Sequence, residues 1–248
     1  MINLITNFIR KHIFFYIIFI EIYKKYINIF KFVEGDKYKF IKYSKIKNFI
    51  DVGSNDFQTT KLILSYKKIK VFCYDPIKLS NKHIQYLNRF KKKILFNNYA
   101  LWNKNEKNFF FVPYYKGYEL SSLSSFFKNS TKNYFKKLKI SMNQIEIKKR
   151  FVICRKLDNK SLNFQFLKID AENSELAILK GAQKNIKKNN PIILLENNKD
   201  LNKIKKFLKK FKYQQFSFYN YNKKKFQKNK KNLKDIYFLN KESFKYLQ

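Results

Sequence analysis

Two apolar runs that end in turns carrying a glycine or a carboxylate constrain this chain more than any other feature. The first is Phe49-Ile50-Asp51-Val52-Gly53-Ser54-Asn55-Asp56, which reads as a buried strand running into a turn. The second, 69–74, reads as another strand and closes on Asp75 within Tyr74-Asp75-Pro76. In an open α/β sheet such turns border a crevice beyond the carboxyl ends of the strands, where a glycine lets backbone approach a ligand. Asp75 lies about twenty residues after Gly53, the spacing at which an acidic side chain accepts hydrogen bonds from a ribose diol.

The glycines that would make room for a pyrophosphate are missing, because Ser54, Asn55, Asp56 and Phe57 follow Gly53. A cofactor with a ribose but no pyrophosphate fits the pattern better, and S-adenosylmethionine is the leading member of that class. Taken alone, the stretch also suits the strand and turn of any α/β protein.

Composition bounds the rest. A chain of 248 residues holds one α/β domain with a substantial core, here 47–248, preceded by an extension over 1–46. The aromatic content of 19% argues against disorder despite a net charge of +38. Nearly all the positive charge is lysine; only Arg10, Arg89, Arg150 and Arg155 carry guanidinium groups. Asn, Ile, Phe and Tyr accompany the lysines, as a coding bias towards adenine and thymine would produce. Arginine is the preferred residue for bidentate phosphate recognition, so its scarcity weakens a nucleic-acid reading. A field of this sign still attracts anions, whether nucleic acid, anionic lipid or acidic glycan. Cys73 and Cys154 stand apart in apolar surroundings without metal-ligand spacing, which suits buried thiols and a cytoplasmic location.

The run 13–20 is too short to span a bilayer. It predicts a helix packed on the domain or, since Arg10, Lys11, Lys24 and Lys25 flank it, a segment lying on an anionic membrane at the inner face. His12 reads as a surface or packing residue.

Further on, strands at 47–52, 69–74 and 94–99 alternate with helices at 59–66 and from Ser80, whose cap is supported by a Leu79–Ile84 staple. His83 falls in the first turn of the second helix, where a solvated role is expected. The alternation predicts a parallel, right-handed sheet. Residues 109–113 read as a further strand, and 114–150 as an irregular insertion placed to act as an acceptor-binding lid. An apolar strand at 164–169 leads into Asp170-Ala171-Glu172. One helix then buries Leu176, Leu179, Ala182 and Ile186, and a strand at 192–195 ends at Glu196. After an amphipathic helix carrying Leu201, Ile204, Leu208 and Phe211, strands near 213–219 and 236–240 suit an antiparallel pair at the sheet edge, flanking a lysine-rich turn at 222–234.

Together these motifs resemble the FkbM family of S-adenosylmethionine-dependent methyltransferases over about residues 47–240. Asp51-Val52-Gly53-Ser54-Asn55 is similar to that family's Asp-Val-Gly-Ala-Asn loop, and Tyr74-Asp75-Pro76 to its Phe-Glu-Pro. Asn98-Tyr99-Ala100-Leu101 is similar to the segment after its third strand. Leu167 through Leu176, followed by Leu179-Lys180-Gly181-Ala182, is similar to its Leu-Lys-Ile-Asp-Val-Glu-Gly-Ala-Glu signature, and 191–196 to its closing Pro-Ile-Ile-Leu-Glu strand. Each piece alone is weak; five in order are not. Phe57 and Asn173 depart from the pattern by replacing glycines. Phe57 would crowd the methionine end of the pocket if it faced it, leaving an inactive member of the fold, whereas asparagine tolerates left-handed backbone.

The resemblance implies a class I methyltransferase fold, that is, an α/β, Rossmann-like, seven-stranded, mostly parallel sheet with one antiparallel edge strand. It implies O-methylation of a hydroxyl on a sugar, glycan or related small molecule. Asp51 and Gly53 are expected at the methionine portion of the cofactor, Asp75 at the ribose, and Asn98, Ala100 and Leu101 at the adenine, with Ser54, Asn55 and Pro76 in the same cofactor-binding set. Asp170 and Glu172 are the candidate base or acceptor-orienting groups; for Glu172, capping the following helix is the alternative. Lys168 is a candidate structural partner of these carboxylates, and Glu196 either a crevice residue or a sheet-end charge. A divalent ion between Asp170 and Glu196 would also activate a hydroxyl, but no histidine accompanies them and no metal is assigned. The rival readings are a basic RNA-binding protein or RNA methyltransferase, and a catalytically inactive member bound to a membrane surface.

Overall fold

The computed structural model describes residues 18, 35–137, 140–220, 225–227 and 234–247. The helix expected within 1–46 falls outside them apart from Ile18; Gly35–Lys37 and Lys39–Tyr43 form short 3-10 turns, which bury Phe40 and Ile41 against the domain.

The strands are β1 (Asn48–Val52), β2 (Lys70–Tyr74), β3 (Ile94–Asn97), β4 (Ala100–Leu101), β5 (Glu106–Tyr115), β6 (Tyr118–Glu119), β7 (Ile145–Arg155), β8 (Phe166–Ile169), β9 (Ile192–Glu196), β10 (Gln214–Phe216), β11 (Phe218–Asn220), β12 (Lys225–Gln227) and β13 (Asp235–Leu239). The helices are α1 (Gln58–Tyr66), α2 (Asn81–Arg89), α3 (Lys128–Lys137), α4 (Glu175–Lys180), α5 (Gln183–Asn189) and α6 (Leu201–Lys209). Seven strands make one sheet in the order β3-β2-β1-β8-β9-β13-β10. It is parallel from β3 to β9, while β13 runs antiparallel to both of its neighbours.

The antiparallel pair sits at one end of the sheet as expected, but the reversed strand is not the edge strand. β13 lies one place in, between β9 and β10. That slot presents unpaired backbone on both sides, so a returning strand satisfies its N–H and C=O groups twice over. The strand expected over 213–219 is also shorter, because β11 leaves the sheet to pair with β12.

Pleating explains why the strands of the sheet centre read as continuous apolar runs. Successive side chains point to opposite faces, so Phe49, Phe166, Ile192 and Leu194 join α1, α2 and the 38–46 segment in one core. Ile50, Val52, Leu167, Ile169, Ile193 and Leu195 join α4, α5 and α6 in the other. Both faces of a parallel sheet are thereby covered. No helix among the described residues is long and apolar enough to cross a membrane.

Three local expectations are corrected. Residues 114–150 are not the irregular part of the chain: β7 pairs along the whole length of β5, in a second sheet ordered β4-β7-β5-β6. The charged run Lys148-Lys149-Arg150 hid this strand, since alternation fails when one face is solvent and the other is a mixed wall. In α2, Ser80 takes the N-terminal position, but its hydroxyl meets His83 Nδ1 at 3.1 Å rather than a backbone N–H. Ile84 is exposed, so the staple does not form. The single helix expected after 175 is broken into α4 and α5 at Gly181.

Gly181 is fixed by sterics. A Cβ there would lie 1.9 Å from the carbonyl oxygen of Trp102 and 2.8 Å from its carbon, both backbone atoms of the segment that follows β4. We expect Gly181→Ala to lower the unfolding free energy by about 2–3 kcal/mol, at the upper end of overpacking costs, measured by urea denaturation; an unchanged midpoint would contradict this packing.

Candidate active site

The site begins with a register. Parallel pairing of β1 with β8 sets Asp51 directly opposite Lys168, so both point to the same face. Lys168 Nζ lies 3.3 Å from Asp51 Oδ1 and 3.5 Å from Asp170 Oδ2, and it donates to the carbonyl oxygen of Gly53 at 3.4 Å. Burial by itself would discharge this lysine, but Asp51, then Asp170, outweigh it and raise its pKa. Asp51 is fully buried, and its other oxygen accepts from Thr60 Oγ1 at 2.8 Å. The carboxylate expected near the methionine portion is thus charge-paired from within the protein, while its Oδ1 has no hydrogen-bond partner among the described residues.

Beyond Asp51 the chain turns at Gly53 with φ +72°. A Cβ at Gly53 would sit 1.9 Å from the carbonyl oxygen of Asp170. The turn after β1 and the end of β8 are therefore in contact, and only glycine allows it. Ser54 is buried with its hydroxyl unpaired among the described residues. Asn55 donates its backbone N–H to Asp75 Oδ2 at 2.9 Å, and Ile77 donates to Oδ1 at 2.8 Å. Burial raises the pKa of Asp75 to about 6, with these two N–H groups and Lys168 opposing the rise. Each carboxylate oxygen keeps a lone pair for another donor. Pro76 is half-buried beside it.

The adenine set divides. Asn98 Nδ2 donates to the carbonyls of Asp75 and Ile77 at 3.0 and 2.9 Å, tying the end of β3 to the loop after β2. Ala100 and Leu101 are buried in β4 of the second sheet, and Leu101 packs in the core. Phe57 has a left-handed φ of +62°, a conformation glycine adopts more readily. Its buried ring stacks on Tyr86 and meets His83 and Phe96 edge-on. It is therefore committed to the core between the sheet and α2, and His83 is half-buried against it.

Across from this turn, four carboxyl groups converge at the ends of β8 and β9. One ligand oxygen from each of Asp170, Glu172 and Glu196 lies within 4.8 Å of the others. Glu172 has φ +47° and Asn173 φ +74°, so two left-handed residues fold the loop back on itself. That answers how carboxylates two apart on the chain can share a face. Burial first, then Asp170, Glu196 and Glu175, push Glu172 up to about 8. Burial and Asp170 likewise push Glu196 up to about 7, with Lys234 at 3.9 Å. For Asp170 desolvation pulls upward, but Lys168, Lys234 and Lys37 together hold it below the usual carboxylate range. One carboxylate of lowered and two carboxyls of raised proton affinity thus lie side by side, a set that a hard divalent cation could also bridge through oxygen.

Glu175 was legible only as part of a motif. It is buried, Oε1 accepts the Ala171 N–H at 3.1 Å and Oε2 accepts from Asn198. The helix-orienting role weighed for Glu172 belongs to this residue. The insertion also reaches the site. Ser121 Oγ donates to Asn55 Oδ1 at 3.0 Å, Ser125 Oγ to the Glu172 carbonyl at 2.8 Å, and Asn173 Nδ2 to Ser130 Oγ at 3.3 Å. One serine-bearing segment therefore joins the turn after β1 to the loop after β8.

The raised carboxyls have a thermodynamic sign. An acid whose folded pKa is about 8 against 4.5 stabilises the fold fully below its unfolded value and loses that contribution as pH rises through the folded one. We expect Glu172→Gln to melt with the wild type at pH ~5 and about 2 °C or more above it at pH ~9. Coincident melting curves at both pH values would remove Glu172 from the list of strained ionisations.

A family model described as the methyltransferase FkbM domain matches residues 51–218. No curated protein sequence matches the chain. Among solved structures, the FkbM methyltransferase of Methylobacillus flagellatus KT aligns with a TM-score of 0.49 at 14% identity, covering 79% of this chain and 44% of that one. This chain therefore spans less than half the length of that protein. The precorrin-6y C5,15-methyltransferase of Geobacter metallireducens GS-15 aligns with a TM-score of 0.39 at 10% identity, covering 84% and 85% of the two chains. The match over residues 51–218 takes in the end of β1, the glycine turn, Asp75, the carboxyl cluster and the other four parallel strands of the main sheet, and by it the chain belongs to the FkbM methyltransferase family.

Proposed function

We propose that this chain is an S-adenosylmethionine-dependent O-methyltransferase acting on a hydroxyl of a sugar, glycan or related small molecule. The observation that supports it best is the contact of Gly53 with the carbonyl of Asp170, which sets a nucleoside-type turn directly beside a cluster of carboxyl groups able to take a proton.

The residues present suit the cofactor. Asp75 offers one free lone pair on each oxygen to a ribose diol, the unpaired Ser54 hydroxyl lies buried in the same turn, and Phe57 is turned into the core. Gly53, Ser54, Asn55, Asp75 and Pro76 would hold the group. When bound, S-adenosylmethionine supplies a methyl group on a sulfonium that leaves as a neutral thioether. Asp170, held ionised by Lys168, would orient the acceptor by accepting a hydrogen bond from a hydroxyl beside the one that reacts. Glu172, once ionised, would remove the hydroxyl proton as the new C–O bond forms. A base of pKa near 8 is well matched to this task, because its basicity is high while a useful fraction is ionised at neutral pH.

Two measurements test the reading. Asp75→Ala should abolish binding of S-adenosylmethionine by calorimetry while the melting temperature is kept; unchanged affinity would sink the cofactor assignment. With labelled cofactor and a cell-envelope glycan fraction, methyl transfer should rise with pH and level off above about 8. Glu172→Gln should cut it by about a hundred- to ten-thousand-fold and flatten that rise. A variant of full activity, or one that keeps the wild-type pH profile, would take Glu172 out of the chemistry.

A further inference from the structure

The second sheet has a face that the site does not use. On the β5–β7 ladder Phe109 stands opposite Phe151, and Lys107 opposite Ile153. Side chains two apart on a strand share a face, so Lys149, Phe151, Ile153 and Arg155 line one side of β7. The alternate residues Phe110, Val112, Tyr114 and Cys154 are buried on the other side. Phe151 is 69% exposed and Ile153 47% exposed. The rings of Phe109 and Phe151 lie 4.2 Å apart, and Lys149 Nζ sits 3.3 Å from the centre of Phe109. Lys107, Lys149 and Arg155 are exposed around them.

Adjacent exposed apolar side chains on an open sheet face suit an apolar occupant, and the surrounding charge favours an anionic one. The positions that form the patch carry no carboxylate, amide or hydroxyl. Lys107, Lys149 and Arg155 offer donors only, so the hydroxyl and amino donors of a glycan or a base would go unanswered there, and Phe151 gives only one well-exposed ring to stack on. Lipid asks for none of this. Hydrocarbon accepts Phe151 and Ile153 without polar partners, and compact ammonium groups beside them meet headgroup phosphates as point charges.

We propose that the Phe109–Phe151–Ile153 face, with Lys107, Lys149 and Arg155, docks on the surface of an anionic phospholipid bilayer. Two apolar side chains enter the interface while the cations stay at headgroup depth. The inference is independent of the methyl acceptor and of the cofactor.

The test uses the full chain and vesicles of phosphatidylglycerol mixed with phosphatidylcholine. Co-sedimentation should occur with these and not with phosphatidylcholine alone, and should weaken as salt is raised. Phe151→Ser with Ile153→Ser should lower partitioning by about tenfold or more, whereas Ile84→Ser, an exposed apolar residue on α2, should leave it unchanged. Phe151→Trp supplies a direct readout: its fluorescence should shift to the blue and be quenched by brominated lipid. Partitioning of the double variant within twofold of the wild type would overturn the proposal. So would an unquenched tryptophan at 151, or loss of single-stranded oligonucleotide binding in the double variant with vesicle binding intact.

Discussion

A single buried cation holds this fold together at its functional end. Lys168 sits in an apolar strand, opposite Asp51 by register, and also reaches Asp170 and the carbonyl of Gly53. Removing one partner of such a buried group is costly, about 3–5 kcal/mol, because the remaining charge is left without compensation. The two central strands are therefore locked together at their carboxyl ends. The same ammonium keeps Asp170 ionised and lowers the pKa of Asp75, which burial would raise further. One side chain thus sets both the geometry of the crevice floor and the protonation of groups on either side of it.

Against a net charge of +38, the cluster of Asp170, Glu172, Glu175 and Glu196 is an acidic island. Its members raise one another's proton affinity, while lysines 168 and 234 temper the effect. The overall charge brings anions towards the surface, and the interior of the site has the opposite sign. Composition alone points to the first property and is silent on the second.

Much of the main sheet was legible because parallel strands buried on both faces must be apolar, and because Gly53, Asp75 and Asp170 each end one. Lys168 was visible as a charge inside an apolar run. Other features were not. The strand β7 is half solvent-facing and rich in lysine, so its pattern imitates a loop. The place of β13 depends on which slot in the sheet has unpaired backbone, and that is decided by the whole assembly. Glu175, through Asn198, and the serines at 121, 125 and 130 act through contacts with residues far away in sequence, which no local pattern records. Leu101 was placed at the nucleoside site by its resemblance to a family segment, and its seat in β4 of the second sheet was not legible from that resemblance.

Four residues bordering the crevice, Asn55, Phe57, Glu172 and Asn173, hold left-handed backbone without being glycine. Each such residue costs of order 1–3 kcal/mol locally, and each is anchored: Asn55 by its side chain to Ser121, Phe57 to the rings of α2, Asn173 to Ser130, and Glu172 by its carbonyl to Ser125. Loops built on glycine at these points would be hinges. These are braced instead, so any change of shape here would have to break side-chain contacts as well as turn the backbone.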